Sequence, residues 1–298
     1  MSSLISNVKP DIKKSYKGQI SYNKNPMEYL IKNDLAIQIG NGLFVLKGIL
    51  VNILDKIDIE CGKIAKKVDT KEVFVPSVLS YENAKRSEYL NSFKNQALML
   101  STIDSDKEFQ GLACPTVCYH YSSSLKNKKI KDNLGITAVS RCTRKEEGKL
   151  NDLSRLTNFT MRETVFYGTE KYCREKLKET LDETEKVLEN VFDLDYKIMT
   201  AADPFFGTNG EIKRKAQLIL ESKYEVQATL PYNNSGVSIA SFNNHGKVFF
   251  ERFEIKAKST EFSYSSCVGW GYERILFAIL AQKGVDFNSS YYKNLLEN

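Results

Sequence analysis

Along residues 42–67 the apolar side chains Leu43, Val45, Leu46, Ile49, Leu50, Ile53, Leu54 and Ile57 fall at helical spacing, which predicts a long helix from Gly42 to Lys67. Cys173, Leu177, Leu181, Leu188 and Val191 repeat in the same way with Glu and Lys between them, predicting an exposed amphipathic helix over 171–192. A two-residue period takes over later. Tyr224, Val226, Ala228 and Leu230 alternate with Glu225, Gln227 and Thr229, then Val237, Ile239 and Ser241 with Ser238, Ala240 and Phe242. These read as strands close enough in the chain to be antiparallel neighbours. Residues 72–76 read as a short strand stopped by Pro76, 81–90 as a helix, and 124–149 as loop, strand over 134–139, and loop. Residues 1–40 have no clear period and read as a poorly defined N-terminal extension. Near the other end, Cys267 to Arg274 leads into the apolar run Ile275 to Leu280: a glycine-permitted tight approach, then a buried helix that Gly284 can end. Helices combined with a run of strands imply an α+β fold built on an antiparallel sheet flanked by helices.

Composition narrows the class. With 298 residues, 42% hydrophobic and 27% charged, the chain can bury a sizeable core, which excludes disordered and fibrous proteins. Six prolines and 16 glycines leave no long linker, so a single domain over 1–298 is expected. No run approaches about 18 consecutive apolar residues, and the polar start carries Lys9, Lys13, Lys14 and Lys17, so a cytoplasmic chain without a membrane partner is expected. Six cysteines are too sparse for a disulfide scaffold and read as thiols. The formal charge of +6 suits an anionic ligand or an acidic partner, and is too small to establish nucleic-acid binding.

Three stretches combine polar groups with strand or helix-start context. Arg144-Lys145-Glu146 and the segment Arg155 to Glu163 read as a hairpin presenting Arg and Glu on one face and Phe159 from the facing strand. A nucleotide wants such a set: a fork of donors on phosphate, a carboxylate for the base edge and a ring to stack on. Taken alone, Arg-x-Glu more often marks a surface pair. Gly269-x-Gly271-x-x-Arg274 places an arginine beside the free N–H groups of a helix start, an anion site or equally a helix packed on a sheet with a salt bridge. Cys118 and Cys267 read as strand residues in apolar surroundings without a partner at Cys-x-x-Cys spacing. Any metal site must then be assembled from distant positions, whereas the usual fate of such thiols is as small buried hydrophobes. Cys114-x-x-x-Cys118-x-His120, read as one strand, is a weaker candidate for a local metal clamp.

The Arg144-x-Glu146 hairpin and the Gly269-x-Gly271-x-x-Arg274 helix resemble motifs 2 and 3 of class II aminoacyl-tRNA synthetases, and Pro76 falls where motif 1 would have its proline. The resemblance is closer to the amino acid:[carrier protein] ligases, relatives of the zinc-dependent archaeal-type seryl-tRNA synthetases. It runs through Val75-Pro76, Ser87 to Phe93, Cys118-Tyr119, Arg162-Glu163, Ala202 to Gly207, Ala240 to Asn243 with His245, and Cys267-Val268-Gly269, over roughly residues 40–281.

The resemblance implies zinc held by Cys118, Glu163 and Cys267, with Cys61, Cys114, Cys142 and Cys173 structural. It further implies ATP and magnesium: Arg144 on the α-phosphate, Glu146 on the adenine edge, Phe159 on the adenine face, Ser241 in the same site and Arg274 on the γ-phosphate. Synthetases of this class commonly carry an acid three residues before the serine matching Ser241, where this chain has Ser238. The implied reaction is ATP-dependent activation of a small amino acid, followed by transfer to the phosphopantetheine thiol of an acidic carrier protein. Lys126, Lys128, Lys129 and Lys131 are candidates for that contact or for a solvated loop. A homodimer is implied as well, and the short flanks around the motifs point to an acceptor other than tRNA. Two rival readings stay open: transfer to tRNA or a small amine, and a non-catalytic amino-acid or nucleotide sensor.

Overall fold

The structure is a computed structural model that describes residues 8–103, 110–207 and 209–297. Its centre is an eight-stranded sheet formed by β1 (Ile12–Tyr16), β2 (Lys71–Glu72), β3 (Leu134–Thr143), β4 (Asn158–Gly168), β5 (Tyr196–Thr200), β6 (Lys223–Leu230), β7 (Ser235–Gly246) and β8 (Tyr264–Gly271). In space the order is β1-β5-β6-β7-β8-β4-β3-β2. Every pairing is antiparallel except that of β2 with β3. The sheet is therefore mixed, because the two-residue β2 enters beside β3 in the same direction.

Four helices matter for the site: α1 (Ile49–Lys67), α2 (Cys118–Ser124), α3 (Glu170–Asn190) and α4 (Tyr272–Lys283). The alternation along the strands sorts their side chains onto two faces. On one face Ile198, Val226, Ala228 and Trp270 pack with Ile53 and Ile57 of α1, Leu188 of α3 and Phe277 of α4 in the largest core cluster. The run Ile275 to Ala281 is buried throughout, which is why it shows no polar stripe. Gly284, at φ +88°, ends α4 and donates its N–H to the Leu280 carbonyl at 3.0 Å. Phe277 is fully buried. Phe277→Ala is expected to cost about 3–5 kcal/mol through lost burial and a residual cavity. Urea unfolding measures this, and a cost below about 1 kcal/mol would show that the helix is not packed as described.

On the opposite face Cys118, Ile136, Val165, Tyr167, Phe249, Phe253 and Cys267 form a second cluster, and the candidate site opens there. Among the described residues no helix is long and apolar enough to cross a membrane.

Several sequence expectations shift. The helix predicted from Gly42 begins at Ile49, because Leu43–Leu46 forms a hairpin with Ala36–Gly40. Gly42 (φ +67°) and Gly48 (φ +59°) adopt conformations that end the helical path. The helix over 81–90 is two, Tyr81–Arg86 and Tyr89–Ser92, broken at Glu88 with φ +58°. The strand over 134–139 runs on to Thr143. Of the 72–76 region only Glu72 is strand, in the two-residue Lys71–Glu72, although the Val73 N–H still donates to the Thr137 carbonyl at 2.9 Å. The N-terminal extension is more ordered than expected: β1 edges the sheet against β5, and the helix Pro26–Lys32 is capped by Asn25. Residues 1–7 lie outside the described residues.

Candidate active site

Three adjacent strands set the site in register. Glu163 of β4 lies opposite Gly269 of β8, which lies opposite Ser241 of β7; on the next rung of that face, Cys267 faces Asn243. Because neighbours on a rung share a face, Glu163, Ser241 and Cys267 point the same way. Cys118 joins them from the first turn of α2, so it is a helix-start residue and not the strand residue the sequence predicts. Its backbone N–H donates to Glu163 Oε2 at 2.5 Å, and the Thr116 hydroxyl donates to Oε1 at 2.8 Å. The Cys267 thiol reaches Oε1 at 3.7 Å, and the ligand atoms of Cys118, Glu163 and Cys267 all lie within 4.8 Å of one another.

All three residues are buried. Burial raises the Cys118 thiol and the Glu163 carboxyl, the latter partly offset by the bonds from Thr116 and Cys118. Cys267 is also raised: its contact with Cys118 favours the thiolate, and burial together with the nearby Glu163 charge outweighs that contact. Two sulfurs and one carboxylate oxygen suit zinc, and three protein ligands leave a fourth position open. The bonds from Thr116 and the Cys118 N–H fix the carboxylate's direction. Since binding must displace protons from raised groups, zinc affinity is expected to increase with pH. Chelator competition at mildly acidic and mildly alkaline pH measures this, and a flat response would contradict protonated ligands. The one-strand clamp of Cys114, Cys118 and His120 does not form, since Cys118 begins α2 while Cys114 and His120 make a separate pair.

Beside the triad lies a cleft lined by Arg144, Glu146, Phe159, Ser241 and Arg274, all five residues expected around ATP. Arg144 and Glu146 stand in the loop past β3 and not on a hairpin strand as predicted. The β3 and β4 strands do pair as a hairpin, with Phe159 opposite Cys142. The Arg144 guanidinium lies 5.3 Å from the Phe159 ring centre, and its Nε donates to the Pro115 carbonyl at 2.9 Å. Glu146 accepts an ion pair from Arg155 at 2.9 Å. At the start of α4, Arg274 donates to the Ser238 carbonyl at 3.2 Å. Burial and the nearby Arg144 pull Arg274 below the ordinary arginine value, so a polyanion entering the cleft would relieve both costs.

Gly269 joins the two parts. A Cβ there would meet Met161 Sδ at 3.2 Å, Glu163 Cγ at 3.4 Å and Ser241 Oγ at 3.7 Å. A side chain at 269 would therefore fill the space between triad and cleft.

The sequence reading did not single out Thr116, Lys223, Glu225 or the side-chain role of Asn243. Lys223 is buried between Asp203 at 2.5 Å and Glu225 at 3.2 Å. Asn243 Nδ2 lies 3.3 Å from Ser241 Oγ and 3.7 Å from Cys267 Sγ. Glu225 lies opposite Ser241 in the β6–β7 register and lines the cleft. It thus places a carboxylate on the cleft wall beside Ser241, on the strand next to Ser238. The alternation in β6 carried a signal for this polar face, but not for what it faces.

A helix-flanked mixed sheet that gathers an arginine just past one hairpin strand, a second arginine at a helix start and an aromatic ring into one cleft defines the catalytic core of class II aminoacyl-tRNA synthetases. The signature of the tRNA synthetase class II core domain (G, H, P, S and T) matches residues 101–283, and the chain belongs to that family. It is 33% identical over 148 residues to the type-2 serine–tRNA ligase of Methanococcus aeolicus, covering 48% of this chain and 28% of that protein. It is 24% identical over 247 residues to amino acid–[acyl-carrier-protein] ligase 1 of Bradyrhizobium diazoefficiens, covering 75% of each. Its fold superposes on M. kandleri SerRS, solved with A. aeolicus tRNASec, with a TM-score of 0.84 at 18% identity, over 98% of this chain and 64% of that one. The chain thus spans well under a third of the serine–tRNA ligase that it matches and three quarters of the carrier-protein ligase.

Proposed function

We propose that this protein activates a small amino acid with ATP and transfers the aminoacyl group to the phosphopantetheine thiol of an acidic carrier protein. The observation that carries the reading is the junction at Gly269, where a buried set of two thiols and a carboxylate opens directly onto a cleft holding two arginines and Phe159. Zinc held by Cys118, Glu163 and Cys267 would supply a Lewis-acid position for a neutral α-amino group. The three ligand residues are themselves buried, which favours a small amino acid.

The rest follows from the chain's own groups. Phe159 and Glu146 hold the adenine face and edge, and Arg144 neutralises charge developing at the α-phosphate. Arg274 orients the departing pyrophosphate, so the substrate carboxylate attacks the α-phosphorus in line. Positioning and charge stabilisation supply the rate, and no residue need act as a general base. The formal charge of +6 favours encounter with an acidic carrier, and the similarity to the carrier-protein ligase over 75% of both chains favours it over a small amine.

A second reading, transfer to tRNA, has its own support in the serine–tRNA ligase relatives and the tRNA-bound structural neighbour. The sequence expectation of an acceptor other than tRNA therefore does not stand as an exclusion. Incubating the enzyme, ATP and the activated amino acid with a purified holo carrier protein or with bulk tRNA separates the two. Thioester formation on the carrier alone is the expected result, and esterification of tRNA alone would overturn it.

A further inference from the structure

Lys223 is a cleft residue to which the mechanism above gives no task. A lysine is almost never buried unless its charge is paired. The Lys223 side chain lines the cleft, and its ammonium meets Asp203 Oδ1 at 2.5 Å and Glu225 Oε1 at 3.2 Å. Asp203 has a second partner: Gln217 Nε2 donates to its other oxygen at 2.8 Å, and Gln217 Oε1 accepts its backbone N–H at 2.7 Å. Burial opposes the charge on Lys223, but the two carboxylates raise it above the ordinary lysine value, so it stays an ammonium. An ammonium carries three donors. Among the described residues only Asp203 and Glu225 receive them, which leaves one N–H for a molecule in the cleft.

Strand register relates this group to the triad. Lys223 of β6 lies opposite Asn243 of β7, and Asn243 lies opposite Cys267 of β8. The next rung carries Glu225, Ser241, Gly269 and Glu163 in the same strand order. Residues on one rung share a face, and neighbouring strands are about 4.8 Å apart, so the Lys223 and Cys267 backbones stand about 10 Å from each other across Asn243. The flexible lysine stem reaches into that interval. Of the residues on these two rungs Lys223 is the one cation, whereas Arg144 and Arg274 enter the cleft from a loop and from a helix start. An amino acid carries its amine and its carboxylate on one carbon, so an amine at the triad leaves its carboxylate within this interval.

We propose that Lys223 binds the α-carboxylate of the amino acid whose amine sits at the triad. This assignment rests on the activation reaction proposed above and names a binding group for it. Lys223 holds one carboxylate oxygen. The other forms a bond to the α-phosphorus as the bond from phosphorus to the bridging oxygen breaks, and pyrophosphate leaves with that electron pair. No proton changes hands. Asp203 and Glu225 direct the ammonium, and the guanidinium groups lining the same cleft offset their negative charge.

The test measures ligand binding to the zinc-loaded full chain by calorimetry. Glycine, alanine and serine are compared with methylamine, ethylamine and ethanolamine, the same molecules without the carboxylate. Lys223→Met is expected to weaken binding of the activated amino acid about 10–100-fold, the worth of one hydrogen bond between charged groups. Binding of the matching amine, the zinc content and the ATP affinity should not change. Should Lys223→Met fail to fold, Lys223→Arg carries the test: a planar fork in place of the ammonium is expected to weaken the amino acid and spare the amine. Equal losses for amino acid and amine, or an unchanged affinity for the amino acid, would overturn the assignment. So would loss of zinc or of ATP affinity in a folded variant. Wild-type protein that exchanges pyrophosphate with none of the three amino acids would instead sink the proposed activity itself, so the two failures are told apart.

Discussion

Replacing Cys267 by serine is expected to abolish both stoichiometric zinc and amino-acid-dependent exchange of pyrophosphate into ATP. The sulfur lies in a buried group within 4.8 Å of the other ligand atoms, and no further thiol, imidazole or carboxylate joins that group among the described residues. Serine offers an oxygen that is a far poorer zinc ligand at neutral pH. Loss of groups that merely orient ligands costs about 10–100-fold, so removal of a ligand should exceed that range. Because Cys267 sits in β8 between β4 and β7, the variant should keep its fold, which circular dichroism checks. Full exchange activity in a zinc-free variant would remove the triad from the mechanism.

Arg144→Ala is the second large effect. Arg144 reaches the cleft from a loop, steadied by the Pro115 carbonyl and the Phe159 ring, and it is the group assigned to the charge growing at the α-phosphorus. Removing one such preorganised donor costs on the order of 10²–10³ in kcat. The zinc content should not change, since Arg144 contacts none of the triad through a hydrogen bond or ion pair given by the structure. Pyrophosphate exchange measured beside metal content therefore separates the two variants: Cys267→Ser loses both, Arg144→Ala only the first. A variant with wild-type kcat would show that another group meets the α-phosphate.

How far the sequence reveals this depends on distance along the chain. The long helix α3 was legible because its period persists over twenty or so residues, and the observed span Glu170–Asn190 nearly matches the predicted 171–192. The alternating segments became β6 and β7, paired antiparallel as expected. The first forty residues were not legible, because β1 has four exposed positions of five and so no alternation to read. Gly48 hid the end of a hairpin inside what looked like a helical run, since spacing reports side chains and not the backbone conformation at one glycine.

The candidate site was legible only through its resemblance to a family. Cys118 is 45 residues from Glu163, and Glu163 is 104 from Cys267, separations at which no local pattern couples them. What joins them is strand register and the start of a short helix. The structure also places Glu225 opposite Ser241 on the adjacent strand, a carboxylate at the cleft that the alternation alone did not single out. Cys114 reads as structural from the sequence, and nothing local foretells that His120, six residues on, folds back to 3.1 Å from its sulfur.

X-ray absorption at the zinc edge is the most direct measurement of the central claim. The purified protein should give a single zinc environment with two sulfur and two lighter neighbours, and adding the activated amino acid should exchange one of the lighter neighbours for nitrogen while both sulfurs stay. A shell of four sulfurs, a shell without sulfur, or a spectrum that does not respond to any amino acid would contradict it.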